Sequence, residues 1–187
     1  MKSSEILNKI SSPKELLKYM ENNITYGFVG SNNKVYIDQE SNDWNDWYDV
    51  CIVQNGNQVL ESNVGICWDQ VELERLWFSK HNYNFVTIFI WFSVDYKNNY
   101  PTHSFLLFEE NNKWYWFENA FFDCTGIHEY SSKENALNDI QEKFFNQVLE
   151  NGWAKPEDRK YVQINEYSKP KDNLTVQEYL NHVTGNK

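Results

Sequence analysis

The sequence predicts an α+β fold in which a helix opening at Cys67 packs against a small antiparallel sheet. Three observations carry this. Residues 85–92 form a β-branched and aromatic run; two further aromatic-rich runs, 103–108 and 114–117, flank a turn-like pentapeptide; and helix signals stand before, between and after them.

Taken in order, Ser12-Pro13-Lys14-Glu15 followed by Leu16, Leu17 and Met20 reads as an N-cap, a Pro in the first turn and a short amphipathic helix over 13–22. Residues 30–63 are polar and Asn-rich, with Trp44, Trp47 and Tyr48 among them, and no periodicity assigns them an element. From Cys67 to Phe78 strong helix formers run without Gly or Pro. Their apolar positions make no single stripe, so this helix is either buried on several sides or bounded differently. Phe85 to Phe92 has few polar breaks, as a central strand covered on both faces would. His103–Phe108 and Trp114–Phe117 are separated by Glu109-Glu110-Asn111-Asn112-Lys113, a hairpin signal, and should pair antiparallel. Ser131 or Ser132 caps a helix to about Glu150, Tyr161–Ile164 is a late strand, and Thr175 starts a last short helix.

With 187 residues, 41% hydrophobic and 17% aromatic, the chain has material for one well-packed domain over 1–187, and no repeat or linker divides it. A formal charge of -10 opposes binding to nucleic acid or anionic lipid. The N-terminal residues lack the apolar core of a signal peptide and no stretch has the length of a membrane span, so with Met1 as its start the protein is expected to be cytoplasmic. Three cysteines, an odd number without a CxxC pair, suit neither a disulfide framework nor a zinc site. His81, His128 and His182 show no ligand spacing; no metal or cofactor is expected.

A cysteine at a helix N-terminus meets unpaired amides and the positive end of the helix dipole, which favour the attacking thiolate. Cys67 fits that description, Gly65 permits a close turn ahead of it, and Trp68 can shield it from water. Asp69 and Glu72, within the next turn or so, act against a further negative charge. Cys51 reads as core and Cys124 as a loop residue.

The hairpin supplies possible partners. A two-residue Asn111-Asn112 turn sets Glu110 opposite Lys113 and Phe105 opposite Glu118, which puts His103 and Glu118 on one face as diagonal neighbours. There a carboxylate can hold one imidazole nitrogen while the other faces a thiol. A three-residue loop would instead bring Asn119 to that face, where an amide oxygen can also orient a histidine. The oxyanion hole would take the Cys67 amide and one side chain from upstream, with Gln58 and Trp47 as candidates.

These residues resemble the transglutaminase-like superfamily of papain-like thiol enzymes, which includes bacterial peptidases, amidases and arylamine N-acetyltransferases. The resemblance covers about residues 60–130 and rests on Gly65-Ile66-Cys67-Trp68-Asp69, Thr102-His103-Ser104-Phe105 and Trp114-Tyr115-Trp116-Phe117-Glu118. As in that family, the nucleophile, histidine and acid follow in order, here 36 and 15 residues apart, with Trp114 four residues before the acid. Glu118-Asn119 stands where the family has Asp-Pro, and Gly126-Ile127-His128-Glu129-Tyr130 is similar to a segment of uncharacterised bacterial members. The resemblance implies a papain-like fold and a Cys67-His103-Glu118 triad that forms an acyl-thioenzyme from a peptide, protein or small amide substrate. Trp68, Trp47 and Gln58 would lie at the substrate. Water as acceptor makes a hydrolase, an amine a transferase. The rival expectation is a noncatalytic interaction module, of immunity or binding type, with Trp44, Trp47, Trp68, Trp114 and Trp116 as anchors. Sugar binding on aromatic platforms ranks third.

Overall fold

The computed structural model describes residues 3–37, 47–94 and 101–185. Trp44 lies outside them. In chain order the helices are α1 (Ser3–Lys9), α2 (Pro13–Asn23), α3 (Trp47–Val50), α4 (Gly56–Ser62), α5 (Cys67–Lys80), α6 (Lys133–Glu150) and α7 (Val176–Thr184). The strands are β1 (Phe28–Val29), β2 (Val35–Tyr36), β3 (Ile52–Val53), β4 (Asn84–Phe92), β5 (Thr102–Glu110), β6 (Lys113–Glu118), β7 (Gly126–Tyr130), β8 (Val162–Tyr167) and β9 (Leu174–Thr175). The chain is therefore α+β with antiparallel sheets. None of the described helices is long and apolar enough to cross a membrane.

Local chemistry accounts for the element ends. Ser12 Oγ accepts the Glu15 amide at 3.3 Å and Pro13 opens α2, as the N-cap signal predicts. Ser132 and Thr175 cap α6 and α7 in the same way. Asn111 and Asn112 both take left-handed conformations, φ 53° and 60°, which a tight two-residue hairpin turn requires. Glu110 pairs with Lys113 and Leu106 with Phe117, the register expected from that turn.

The main sheet has the order β7-β6-β5-β4-β8. The long run at 85–92 is thus an interior strand, flanked by β5 and β8 and covered on both faces, as its composition predicts. β5 occupies the middle, because β8 arrives from far along the chain to flank β4. Side chains alternate between two cores. Phe89, Leu106, Phe108 and Phe117 join the cluster built with α2 and α5, while Ile88, Ile90, Phe105, Leu107 and Trp116 face Ala136, Ile140 and Phe144 of α6.

Helix α5 runs between the sheet and α4, with ten of its fourteen residues buried on several sides, so its apolar residues need no stripe. Its acids are buried too: Asp69 accepts backbone amides and Glu72 pairs with Arg75 at 3.0 Å. In the polar stretch 30–63, Asn55 and Gln58 form a capping box that starts α4. Gly126–Tyr130, immediately after the expected loop at Cys124, is the edge strand β7 paired with β6.

Candidate active site

Cys67 is the first residue of α5. Ile66 before it is extended, φ -74° and ψ 175°, and its amide is held by Asp69 Oδ2 at 3.1 Å. The other oxygen, Oδ1, takes the Gln54 amide at 2.7 Å. Asp69 thus fixes the entry to the helix rather than facing solvent. Burial pushes its carboxyl up to about 7, against the pull of those donated hydrogen bonds. Burial likewise raises Glu72, opposed by Arg75, and raises Glu74 well above the usual range, with the Glu118 charge adding to it. Burial thus holds the acids of α5 above the ordinary carboxylate range.

His103 lies near the start of β5 and Glu118 at the end of β6. Because the register places them diagonally on the α6-facing side, His103 Nε2 and Glu118 Oε2 are 2.7 Å apart. Glu118 is 2% exposed, and among the described residues its other hydrogen bonds come from N–H donors. Oε2 also accepts the Trp116 indole N–H at 3.0 Å, and Oε1 accepts the amides of Ala120 and Phe121, each at 2.7 Å. The Cys67 thiol lines the same small space as the ring, and with Nε2 committed to Glu118 the nitrogen left to face sulfur is Nδ1. Burial alone would lower the His103 pKa, but the Glu118 charge and hydrogen bond, with the nearby Cys67 thiol adding to them, outweigh it and raise it to about 10.

Asn119, the alternative third member, points elsewhere. Its Nδ2 donates to Gln70 Oε1 at 2.7 Å, and Gln70 Nε2 donates to the Gly65 carbonyl at 2.8 Å.

Tyr26 completes the arrangement and has no precedent in the sequence reasoning. Thr25 forms an isolated parallel bridge with Val64, and the Gly65 amide donates to the Thr25 carbonyl at 3.1 Å. This lays residue 26 beside residue 67. The Tyr26 hydroxyl lies beside the backbone amide and the side chain of Cys67, and both residues line one small cavity. Burial first, then the charges of Cys67 and Asp69, raises its pKa well above that of an ordinary phenol. Phe122 packs edge-on against its ring at 5.3 Å. The signal that could have found Tyr26 is weak: a polar-tipped aromatic beside Gly27, where an added Cβ would sit 2.4 Å from the Tyr36 carbonyl and so hold the backbones apart.

Tyr26, Cys67, His103, Ala120, Phe121 and Gln147 line a cavity of about 180 Å³ over the Cys-His pair. Trp68 and Trp47 are not in it. They pack edge-to-face at 5.7 Å in a neighbouring groove of about 930 Å³, with Trp91 and Trp153, and Thr102 lines both spaces. Gln58 is not brought to the site: Oε1 accepts the Asn55 amide in the α4 capping box, and Nε2 donates to Asn173 at 2.7 Å. Its oxygen is committed to the helix cap and its NH₂ to Asn173, which turns the donor away from the Cys67 cavity. Trp114 and Trp116, offered as partner anchors, differ: Trp116 is fully buried beneath α6 and Trp114 is half-buried. Cys51 is 1% exposed, and burial drives its thiol far above the ordinary range. Comparison with known proteins gave no matching family model and no matching curated protein.

Proposed function

We propose that the chain is a cysteine-dependent hydrolase or acyltransferase, with a papain-like fold of the transglutaminase type, acting on an amide or peptide bond. The observation that supports this most is that one buried imidazole is hydrogen-bonded to a buried carboxylate and lines a small cavity together with a thiol at a helix N-terminus.

In this reading His103 Nδ1 takes the Cys67 proton, and Sγ attacks the substrate carbonyl carbon. The carbonyl π pair moves onto oxygen, which receives the Cys67 N–H. Tyr26 O–H, already at that amide, turns its proton on the same oxygen. When the oxyanion collapses, the C–N bond breaks and His103 gives its proton to the leaving amine nitrogen. An acyl thioester remains. His103 then takes a proton from water or an acceptor amine as it attacks the acyl carbon, the C–S bond breaks, and the proton returns to sulfur. Glu118 fixes the ring and stabilises the imidazolium throughout.

The substrate in this proposal is a peptide, protein or small amide. The test is alkylation of the native protein with iodoacetamide at about pH 6, well below the ~8.5 of an ordinary thiol, with the label located by mass spectrometry. Selective labelling of Cys67, suppressed in His103→Ala, is the expected result. Equally slow labelling of Cys67 and Cys124 would overturn it in favour of a noncatalytic interaction module.

A further inference from the structure

The nucleophile and its base arrive on different elements, Cys67 on α5 and His103 with Glu118 on the β5-β6 hairpin. Apolar packing holds α5 against the sheet, with Phe78 on Phe108 and Phe117, but it sets no hydrogen-bonded distance between the two carriers. One buried side chain sets such a distance. Gln70, 2% exposed, donates through Nε2 to the Gly65 carbonyl at 2.8 Å and accepts through Oε1 from Asn119 Nδ2 at 2.7 Å. Gly65 is two residues before the nucleophile, and Asn119 is the residue after the acid.

The polarity of this chain follows from the groups themselves. A peptide carbonyl can only accept, so the Gln70 nitrogen must face Gly65; its oxygen is then left to accept, which requires the amide nitrogen of Asn119. A carboxylate at position 70 would turn an acceptor toward an acceptor. The packing is close as well: a Cβ on Gly65 would lie 3.0 Å from Asp69 Cβ and 3.4 Å from Gln70 Cγ.

We propose that Gln70 is a positioning residue for the thiol chemistry, a strut that holds the loop before Cys67 at a fixed distance from the turn after Glu118. It touches no reacting atom. Its effect runs through the Cys67-His103 separation, and the inference rests on the catalytic reading of that pair. A displacement on the order of 1 Å at a catalytic group is enough to lower a rate about a hundredfold.

The experiment compares wild type, Gln70→Met, Asn119→Ala, the double variant, and Phe108→Leu as a stability control. Phe108 is buried five residues along β5 from His103, about 17 Å at the rise of a strand. Readouts are melting temperature, the rate and pH profile of Cys67 alkylation, and the His103 ring signals in NMR through a pH titration. Gln70→Met and Asn119→Ala are each expected to slow alkylation about tenfold or more and to move the His103 signals, beyond anything seen in Phe108→Leu at equal loss of melting temperature. Since both residues belong to one strut, the double variant should lose little more than either single one. Unchanged His103 signals in both single variants, additive losses, or the same losses in Phe108→Leu would overturn the proposal. If Cys67 of the wild type proves no more reactive than Cys124, the catalytic reading fails, and the His103 signals alone then decide whether Gln70 sets the ring's position. Asn119→Ala carries the test if Gln70→Met does not fold.

Discussion

His103 Nε2 and Glu118 Oε2 lie 2.7 Å apart because Asn111 and Asn112 turn the hairpin in two left-handed residues. That turn decides which face Glu118 occupies. The carboxylate then meets four N–H donors, from His103, Trp116, Ala120 and Phe121. A buried acid so placed orients the ring, supplies charge to it, and ties the end of β6 to the segment that follows.

Glu118→Gln separates these roles. The amide has one acceptor oxygen, so its NH₂ must face either the Ala120 and Phe121 amides or the His103 and Trp116 donors. A loss of about 1–3 kcal/mol in stability follows from the buried donors left unpaired. The negative charge that raises His103 is also removed, so the ring's pKa should fall from about 10. Activity is expected to drop about tenfold to a thousandfold, less than in Cys67→Ala. NMR titration of His103 in both proteins checks this directly. An unchanged midpoint would mean that some other group holds the ring.

Tyr26→Phe addresses the oxyanion donor. Hydrolysis or transfer passes through a tetrahedral oxyanion, whereas alkylation by iodoacetamide does not. The variant should therefore lose about a hundredfold to a thousandfold in turnover, as for removal of one oxyanion donor, while Cys67 alkylation slows far less. Parallel loss in both assays would show that the hydroxyl acts on the sulfur instead, beside which it lies.

The difference in legibility between Tyr26 and the hairpin has a physical origin. Asn111-Asn112 is local turn chemistry, and a period of two carries its register along both strands, so residues 103 and 118 could be placed from the sequence. Cys67 was readable for a similar reason, since an uninterrupted run of helix formers begins there. Tyr26 comes to Cys67 through one isolated bridge, Thr25 to Val64, and a single bridge has no periodicity. Sheet order is equally silent: β8 adds to β4 across about 70 intervening residues, and nothing local to either strand announces that pairing. Gln58 shows a missed local signal. Asn55-Gly56-Asn57-Gln58 carries the spacing of a capping box, which explains both helix α4 and why Gln58 is unavailable to the site.

Asp69 gives a prediction about pH. Its carboxyl is fully buried and sits at about 7, above its ordinary value of 3.8, so the folded protein holds this proton more tightly than the unfolded chain does. For an acid raised in this way the sign is fixed by linkage. The stabilisation is fully present below about 3.8 and is lost as pH rises through about 7. Other carboxylates contribute to the melting profile in the same range, so the informative quantity is the difference between wild type and Asp69→Asn. The asparagine places an NH₂ against the Gln54 or Ile66 amide, which lowers stability by about 1–3 kcal/mol relative to the protonated acid. It cannot titrate, however. The stability gap between the two proteins should therefore be widest near pH 4 and narrow toward pH 8, as wild type alone loses the contribution of the protonated acid. Melting curves at half-unit intervals across that range check this, and a gap that widens with pH would mean that Asp69 is ionised in the folded protein and stabilised as a carboxylate by its two amide donors.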